Sequence, residues 1–255
     1  MMANKQRLSP LTKVAAVVFA LLVWQGAAVA VGHKFLLASP LDVAVRLCGI
    51  WREEGFFARV LGSLWHIVKG FLLGLGMGSL LAVASGRFRI IEIMLAPFMT
   101  AAKTVPVASF IVIALIWMRP SALSVFISFL IVLPVIYSNV LGGIKSIPRE
   151  MNEMAQVFRL SMPKRLVYIW LPNIKPYLLS ACGASLGMAW KAGVAAEVIG
   201  LASGSLGEAL YEAKVYYNTV DLFAWTVVIV LVSVLFEKTV MLALRRGFAA
   251  LEPSR

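Results

Sequence analysis

The sequence predicts an all-α polytopic membrane protein with about six transmembrane helices. Hydrophobic residues make up 61% of the 255-residue chain and charged residues only 14%, whereas a soluble domain usually carries about 25% charged residues. The apolar residues lie in runs long enough to cross a bilayer, which takes about 20 residues in a helix. Because the basic residues fall between these runs, one folded membrane domain of several helices is the simplest organisation.

The net charge of +12 could indicate nucleic-acid binding. However, the basic residues are not gathered in one polar patch, and in a membrane protein such residues set orientation and contact anionic lipid. Membrane lipid is therefore an expected partner and nucleic acid is not. Cys48 and Cys182 lie far apart and form no CxxC or metal-binding spacing, so neither a disulfide framework nor a metal site is expected.

The candidate spans are residues 14–31, 62–84, 90–118, 121–143, 174–198 and 221–244. In the first, Ala28, Val29 and Ala30 resemble a signal-peptide cleavage site, but the apolar run is long for a signal peptide and further spans follow. We therefore expect a retained anchor, with cleavage as the alternative. Pro97 and Pro106 predict that the third span is kinked or broken.

Lysine and arginine predict the orientation of the chain. With the N-terminus in the cytoplasm, the cytoplasmic segments hold most of the cations: Lys5, Arg7, Lys13, Arg87, Arg89, Lys145, Arg149, Arg159, Lys164, Arg165, Lys175, Arg245, Arg246 and Arg255. The outer segments hold fewer: Lys34, Arg46, Arg52, Arg59, Arg119 and Lys214. Both termini are therefore expected in the cytoplasm of a cell whose inner or plasma membrane holds the protein.

The second span carries glycines at four-residue spacing: Gly70, Gly74 and Gly78. A small-xxx-small face of this kind lets another helix backbone approach closely. Packing within the chain is a better explanation of this face than a dimer motif.

The polar insertion from Lys145 to Pro172 is the most informative segment. Pro148 suits the first position of a helix, with Ser146 near its cap, and Glu150 and Glu153 suit the positive end of the helix dipole. An apolar stripe then follows at positions i, i+3, i+4 and i+7, formed by Met151, Met154, Ala155 and Phe158. The pattern alone fits a helix lying flat on anionic lipid as well as a helix that docks in a groove of a soluble partner.

The spacing of this insertion resembles the EAA loop of ABC importer permeases, in which Glu-Ala-Ala is followed by three residues, Gly, nine residues and Ile-x-Leu-Pro. Glu153, Ala155, Ile169, Leu171 and Pro172 stand at the matching places. Met154 replaces the second residue and keeps the apolar stripe. Arg159 replaces the glycine, and because a non-glycine residue avoids the left-handed conformation, we expect the helix to continue toward Ser161.

Other segments extend the resemblance to the nitrate/sulfonate/taurine-type permeases over about residues 36 to 247. They are Pro40 to Val43, the glycine-rich second span, Lys103 to Pro106, and Ala195 to Glu197 with the glycines that follow. The resemblance implies the type I ABC importer permease (MetI-like) fold. It divides the chain into residues 1–35 (cytoplasmic N-terminus and first anchor), 36–247 (a permease core of five transmembrane helices with the coupling loop 145–172) and 248–255 (a cytoplasmic tail).

The resemblance also implies partners. A separate ATP-binding subunit would dock on the coupling residues (Met151, Glu153, Met154, Ala155, Phe158, Arg159, Ile169, Leu171 and Pro172), an extracytoplasmic protein would deliver substrate, and a second copy of the chain would complete the path. The chain contains no GxxxxGK[ST] motif. ATP and magnesium are accordingly expected in the partner, and neither a cofactor nor enzymatic activity is expected in this chain.

Charged residues within spans indicate the substrate path, because burying them in hydrocarbon is costly. Lys103, Lys191 and Glu197 are the candidates, and a cationic lining would favour an anion; an ion pair between Lys191 and Glu197 is the alternative. Lys69 and Glu92, nearer to span ends, are expected to reach the interface. The segment containing Gly200, Gly204 and Gly207 predicts a flexible outer loop that gates the path or simply connects two helices.

Two other functional classes are alternatives to an importer permease. A stand-alone secondary transporter or channel would show inverted repeats and paired broken helices, and a membrane-embedded enzyme would need clustered catalytic residues; neither pattern is present in the sequence. Within the importer class, the expected substrate is a small organic or inorganic anion of the sulfonate, taurine or nitrate type. The alternative is a thiamine-precursor pyrimidine or another small solute.

Overall fold

The computed structural model describes residues 10–33 and 35–251, and the regular elements in this part of the chain are helices. Lys5, Arg7, Lys34 and Arg255, which entered the orientation argument, lie outside the described residues. The helices are α1 (Pro10–Val31), α2 (Pro40–Ile50), α3 (Phe56–Arg87), α4 (Arg89–Thr104), α5 (Val107–Ala114), α6 (Pro120–Lys145), α7 (Arg149–Val157), α8 (Met162–Arg165), α9 (Leu171–Gly200), α10 (Leu206–Val215) and α11 (Thr219–Leu251). A turn of π-helix (Leu166–Trp170) joins α8 to α9.

The described helices confirm the all-α membrane class. Four segments are long and apolar enough to span a bilayer: Val14–Val31, Phe56–Arg87, Pro120–Lys145 and Thr219–Ala249. The bent pair α4 and α5 would make a fifth if it forms one span. The fifth candidate of the sequence analysis, 174–198, lies in α9, a 30-residue helix that is not among the four. The count of six spans therefore stays a prediction.

The break at Pro106 is present as predicted. Helix α4 ends at Thr104, α5 begins at Val107, and the two axes differ by 101°. Val105 has a ψ of 133°, because the ring of the following proline disfavours the helical conformation of the residue before it. Pro97, in contrast, stays inside α4.

The chain divides into two compact units, residues 1–57 with 209–228 and residues 58–208 with 229–255. In the first unit, the indole N–H of Trp24 on α1 donates to the carbonyl of Ala38, 3.0 Å away. Arg46 on α2 is paired with both Asp221 and Glu53. The hydrogen bond to Asp221 is the main reason that the pKa of this guanidinium is raised, and Glu53 adds to it.

In the second unit, α6 packs extensively on α9, and the glycines of α3 lie against α6. A Cβ at Gly70 would lie 2.4 Å from the Val125 carbonyl oxygen, and one at Gly74 would lie 2.7 Å from Cβ of Val132. Gly78 approaches α6 in the same way, with 2.9 Å to the Leu133 oxygen. The small-xxx-small face therefore serves packing within the chain, as predicted.

The C-terminal end of α7 corrects one expectation. We expected the helix to continue toward Ser161 because Arg159 stands where the related pattern has glycine. Instead α7 ends at Val157, and Arg159 has a φ of 47°, in the left-handed region. The prediction was wrong, and the arginine adopts the conformation that glycine would adopt.

A Schellman motif holds this left-handed turn. The N–H of Arg159 donates to the carbonyl of Gln156 (3.0 Å), and the N–H of Leu160 donates to the carbonyl of Ala155 (2.9 Å). The side chain of Leu160 also packs on a buried cluster that contains Ala155. These interactions satisfy the last helical carbonyls and offset the cost of about 1–2 kcal/mol that a non-glycine residue pays in the left-handed region.

The start of α7 also differs from the expected cap by one residue. Pro148 is the N-cap rather than the first helical residue. Ser146 belongs to the end of α6, where its hydroxyl donates to the carbonyl of Gly143 at 2.8 Å.

Candidate functional site

The predicted docking segment is a helical hairpin whose two arms are held together. Ile147, Ala155 and Ile169 form a small buried cluster between α7 and the π-helical turn, with Leu160 and Trp170 packed on it. Ala155 is only 3% exposed. Ala155, which was predicted to belong to the docking stripe, therefore packs α7 against the rest of its unit and does not face outward.

One exposed side of α7 is largely apolar, with Glu150 on it one turn before Met154. Met154, Val157 and Phe158 are 46%, 78% and 71% exposed, and Met151 at the edge of this face is 41% exposed. We call these four residues the α7 face. The sequence analysis missed Val157, because it placed Ala155 in the apolar stripe. A stripe turned around the helix axis, so that it contains Val157 in place of Ala155, would have included it. Glu153, the one acidic residue among the predicted docking residues, is exposed on the same helix.

A polar contact fixes the angle between the two arms of the hairpin. The Nη2 atom of Arg165 on α8 donates to Oδ1 of Asn152 on α7 at 2.6 Å. On the other arm, Nδ2 of Asn173 donates to the carbonyl of Ile169 at 2.7 Å. Sequence spacing carried no signal for the pairing of Asn152 with Arg165, because it depends on how the chain folds back at Arg159.

The second arm runs into α9 through the π-helical turn. The N–H of Leu171 bonds to the carbonyl of Leu166, five residues back. Pro172 has no N–H for the next bond of an α-helix, so the wider turn accommodates it at the start of α9. Ile169 is buried, Leu171 is partly buried and Pro172 is exposed. These three residues therefore form the joint between the docking segment and α9.

The predicted path residues lie in two different environments. Lys103 and Lys191 are exposed. The ammonium group of Lys103 donates to the hydroxyl of Ser138 at 2.6 Å, whereas Lys191 has no hydrogen-bond or ion-pair partner among the described residues. Glu197 is fully buried, and the alternative ion pair between Lys191 and Glu197 is not present in the described part of the chain.

Glu197 instead fastens the start of α10. Its Oε2 atom accepts hydrogen bonds from the hydroxyl of Ser63 (2.7 Å) and the N–H of Gly207 (3.3 Å). The hydroxyl of Ser63 in turn accepts the N–H of Leu206 at 2.9 Å. Carboxylate and hydroxyl together satisfy two of the free N–H groups at the positive end of α10, which is a favourable place for a carboxylate.

Of the three glycines of the predicted outer loop, Gly200 and Gly207 lie at close approaches and Gly204 lies in a tight turn; the gating role of this segment stays a prediction. A Cβ at Gly207 would lie 2.4 Å from Cβ of Glu197, and one at Gly200 would lie 2.8 Å from Cδ2 of Leu123. Gly204 has a φ of +71°, and its N–H donates to Oε2 of Glu208 at 2.6 Å.

The charged residues nearer to span ends have partners. Lys145 forms an ion pair with Glu92 at 2.5 Å, and the ammonium group of Lys69 lies 4.7 Å from the ring centroid of Trp65. Glu237 and Lys238 on α11 were not singled out from the sequence, although both interrupt an apolar run. Both side chains are exposed.

Comparison with known proteins places these features in context. The family model described as "Binding-protein-dependent transport system inner membrane component" matches residues 70–249. An aliphatic sulfonates transport permease of Bacillus subtilis is 26% identical over 213 residues, covering 83% of this chain and 76% of that protein.

Two relatives from Synechococcus elongatus extend this comparison. A bicarbonate transport system permease is 24% identical over 189 residues, covering 74% of this chain and 68% of its own. A nitrate import permease is 27% identical over 204 residues, covering 76% and 72%.

Proposed function

Because this chain belongs to the family of binding-protein-dependent transport system inner membrane components, the permeases of ABC importers, we propose that it forms the path for a small anion and is driven by a separate ATP-binding subunit docked on the α7 face. The observation that carries the docking proposal is the exposed apolar surface of Met154, Val157 and Phe158 on a short helix. An apolar helix face of this kind fits a hydrophobic groove in a protein partner.

The charge of α7 favours a protein partner over the lipid surface. The helix contains one cation, Arg149, and two carboxylates, Glu150 and Glu153. Anionic headgroups would repel the helix itself, and the later cations of the segment, Arg159, Lys164 and Arg165, lie beyond its end. Arg165, one of the cations that could have held the segment on lipid, donates instead to Asn152.

Co-purification tests the docking proposal. Phe158→Asp places a charge at the most C-terminal position of the α7 face and should abolish recovery of the ATP-binding subunit with the permease, while insertion in the membrane is unchanged. Gln156→Asp is the matched control, because Gln156 is exposed on the same helix but lies away from the α7 face. Equal recovery of the ATP-binding subunit with both variants would refute the proposal.

The proposed substrate is a small anion of the sulfonate, nitrate or bicarbonate type. The three relatives above are named for transport of these anions. Lys191 supports the proposal, because an exposed ammonium without a described partner on a largely buried helix is costly unless it serves a ligand. Lys103, whose ammonium group has a hydroxyl partner and further N–H donors to offer, is the second cation proposed for the path.

Uptake kinetics test the substrate class. Lys191→Ala should raise the KM for anion uptake at least tenfold, and Lys191→Arg should restore most of the affinity because it keeps the charge. Uptake of a neutral or cationic solute that is indifferent to both changes would refute the anion proposal and leave the docking proposal intact. It would favour the pyrimidine-type substrate.

The proposed mechanism is alternating access in a pair of permease chains, with both termini in the cytoplasm and an extracytoplasmic protein delivering the anion. Closure of two ATP-binding subunits would move the two α7 faces. The joint at Ile169, Leu171 and Pro172 connects this segment to α9, which carries Lys191. A displacement of the docking segment would thus reach the path as a rigid-body movement.

A further inference from the structure

A groove between α9 and α11 in the second unit has no role in the function proposed above. Its volume is about 570 Å³, and its lining residues are Gly183, Glu237, Lys238, Met241, Leu242 and Arg245. Gly183 leaves space on the α9 side of the groove: a Cβ added there would be 4.0 Å from the nearest atom, Cε of Met241.

One face of α11 forms a wall of this groove. Lys238, Met241, Leu242 and Arg245 stand at positions i, i+3, i+4 and i+7, so they share one stripe of the helix. Two cations thus lie two turns apart, about 10 Å along the axis, with two apolar side chains between them. Neither cation has a hydrogen-bond or ion-pair partner among the described residues.

The position of this stripe along α11 matches the edge of a membrane. Residues 222–236 form an uncharged apolar run, which is about 22 Å long as a helix. Glu237 and Lys238 follow directly after this run. A hydrocarbon core of about 30 Å takes about 20 helical residues, so a core that begins near residue 222 extends to about residue 241, and the ammonium group of Lys238 reaches the interface along its own side chain. Arg245 lies about 10 Å further along the axis, at the depth of the headgroups.

We propose that this groove binds one anionic phospholipid. The phosphate of its headgroup lies beside Arg245, where the ammonium group of Lys238 reaches it, and the upper part of an acyl chain lies along Met241, Leu242 and the gap left by Gly183. Basic pockets between transmembrane helices bind acidic headgroups in this way. Glu237 at the rim carries a negative charge, so the groove has a net charge of one positive unit and favours a singly charged headgroup such as phosphatidylglycerol.

Native mass spectrometry of the full-length permease in detergent tests the proposal, with dioctanoyl phosphatidylglycerol as the probe. Removing either cation, by Lys238→Ala or Arg245→Ala, should weaken binding about fivefold. Arg246→Ala is the matched control, since it removes the same charge from the neighbouring residue, which does not line the groove, and should leave the affinity unchanged. Equal losses in all three variants would overturn the proposal, because they would show general attraction to a basic surface.

Two further measurements separate lipid from other occupants. Gly183→Leu fills the groove without changing charge and should also weaken phosphatidylglycerol binding; unchanged binding would overturn the placement of the acyl chain. Phosphatidylcholine and inorganic phosphate should compete poorly, since one lacks net charge and the other lacks a chain. If Lys238→Ala changed the oligomeric state and not lipid binding, the groove would be an interface between copies of the chain.

Discussion

The close packing of α3 on α6 predicts that an added methyl group at Gly70 lowers the free energy of unfolding. Gly70→Ala places a Cβ 2.4 Å from the Val125 carbonyl oxygen and 2.6 Å from Cβ of Ser128. Contacts this short require the two helix backbones to separate, because the nearest atom is not at the end of a flexible side chain. Overpacking of this kind costs about 1–3 kcal/mol, and the backbone contact places Gly70→Ala near the upper end of that range.

Gly76→Ala on the same helix is the matched control. Gly76 has no atom within 4 Å of a built Cβ, and it is exposed. Both variants gain the same helix propensity, about 1 kcal/mol. The difference between them therefore isolates the overpacking cost and should be about 3 kcal/mol.

Thermal unfolding of the purified full-length chain in detergent measures this difference. At about 2–4 °C per kcal/mol for a chain of this size, Gly70→Ala should unfold about 6–12 °C below Gly76→Ala. Equal midpoints for the two variants would refute the close approach of α3 and α6 at Gly70.

Three further predictions concern the docking segment and the start of α10. Arg159→Gly should stabilise the turn after α7 by about 1 kcal/mol, because it removes the left-handed cost and keeps both backbone bonds; slower hydrogen exchange at Leu160 measures it, and unchanged exchange would contradict it. Asn152→Ala should keep the ATP-binding subunit bound but reduce uptake per ATP hydrolysed, because Arg165 no longer fixes the angle of α7; full coupling would contradict it. Glu197→Ala should lower the unfolding temperature far more than Glu197→Gln, since only alanine leaves a buried hydroxyl and N–H unsatisfied, at about 1–3 kcal/mol each; equal effects would show that these bonds contribute little.

The elements that were predictable from the sequence depend on local rules. The break at Pro106 follows from the conformation that a proline imposes on the residue before it. The close approach of another helix to α3 follows from the four-residue spacing of Gly70, Gly74 and Gly78, because small residues on one face of a helix allow a second helix backbone to come near. The helical α7 follows from its apolar period.

The residues that were missed depend on long-range packing. A left-handed conformation is unfavourable for an arginine, and at Arg159 it is stabilised by the two hydrogen bonds of the Schellman motif and by the contact of Leu160 with the buried cluster. Which side of α7 faces outward depends on the same turn. The sequence alone could not show this, and the predicted stripe therefore contained Ala155 instead of Val157. Glu197 was predicted to line the path because it is a charged residue within a span. Its burial could not be predicted, because its hydroxyl partner Ser63 lies 134 positions away in the sequence.

The turn at Arg159 holds α7 against the segment that leads into α9. Because the chain reverses there, Arg165 reaches Asn152 and Ile169 reaches Ala155, so α7 is fastened to the segment that continues into α9. If α7 continued as a straight helix toward Ser161, its apolar face would have no fixed relation to α9, and a force applied to it would not be transmitted. The left-handed conformation of Arg159 is therefore tolerated, because the contacts that close the hairpin contribute more free energy of stabilisation than the strained backbone costs. On this argument, any residue at position 159 that can adopt a positive φ should preserve coupling, whereas proline, whose φ is fixed near −65°, should abolish it.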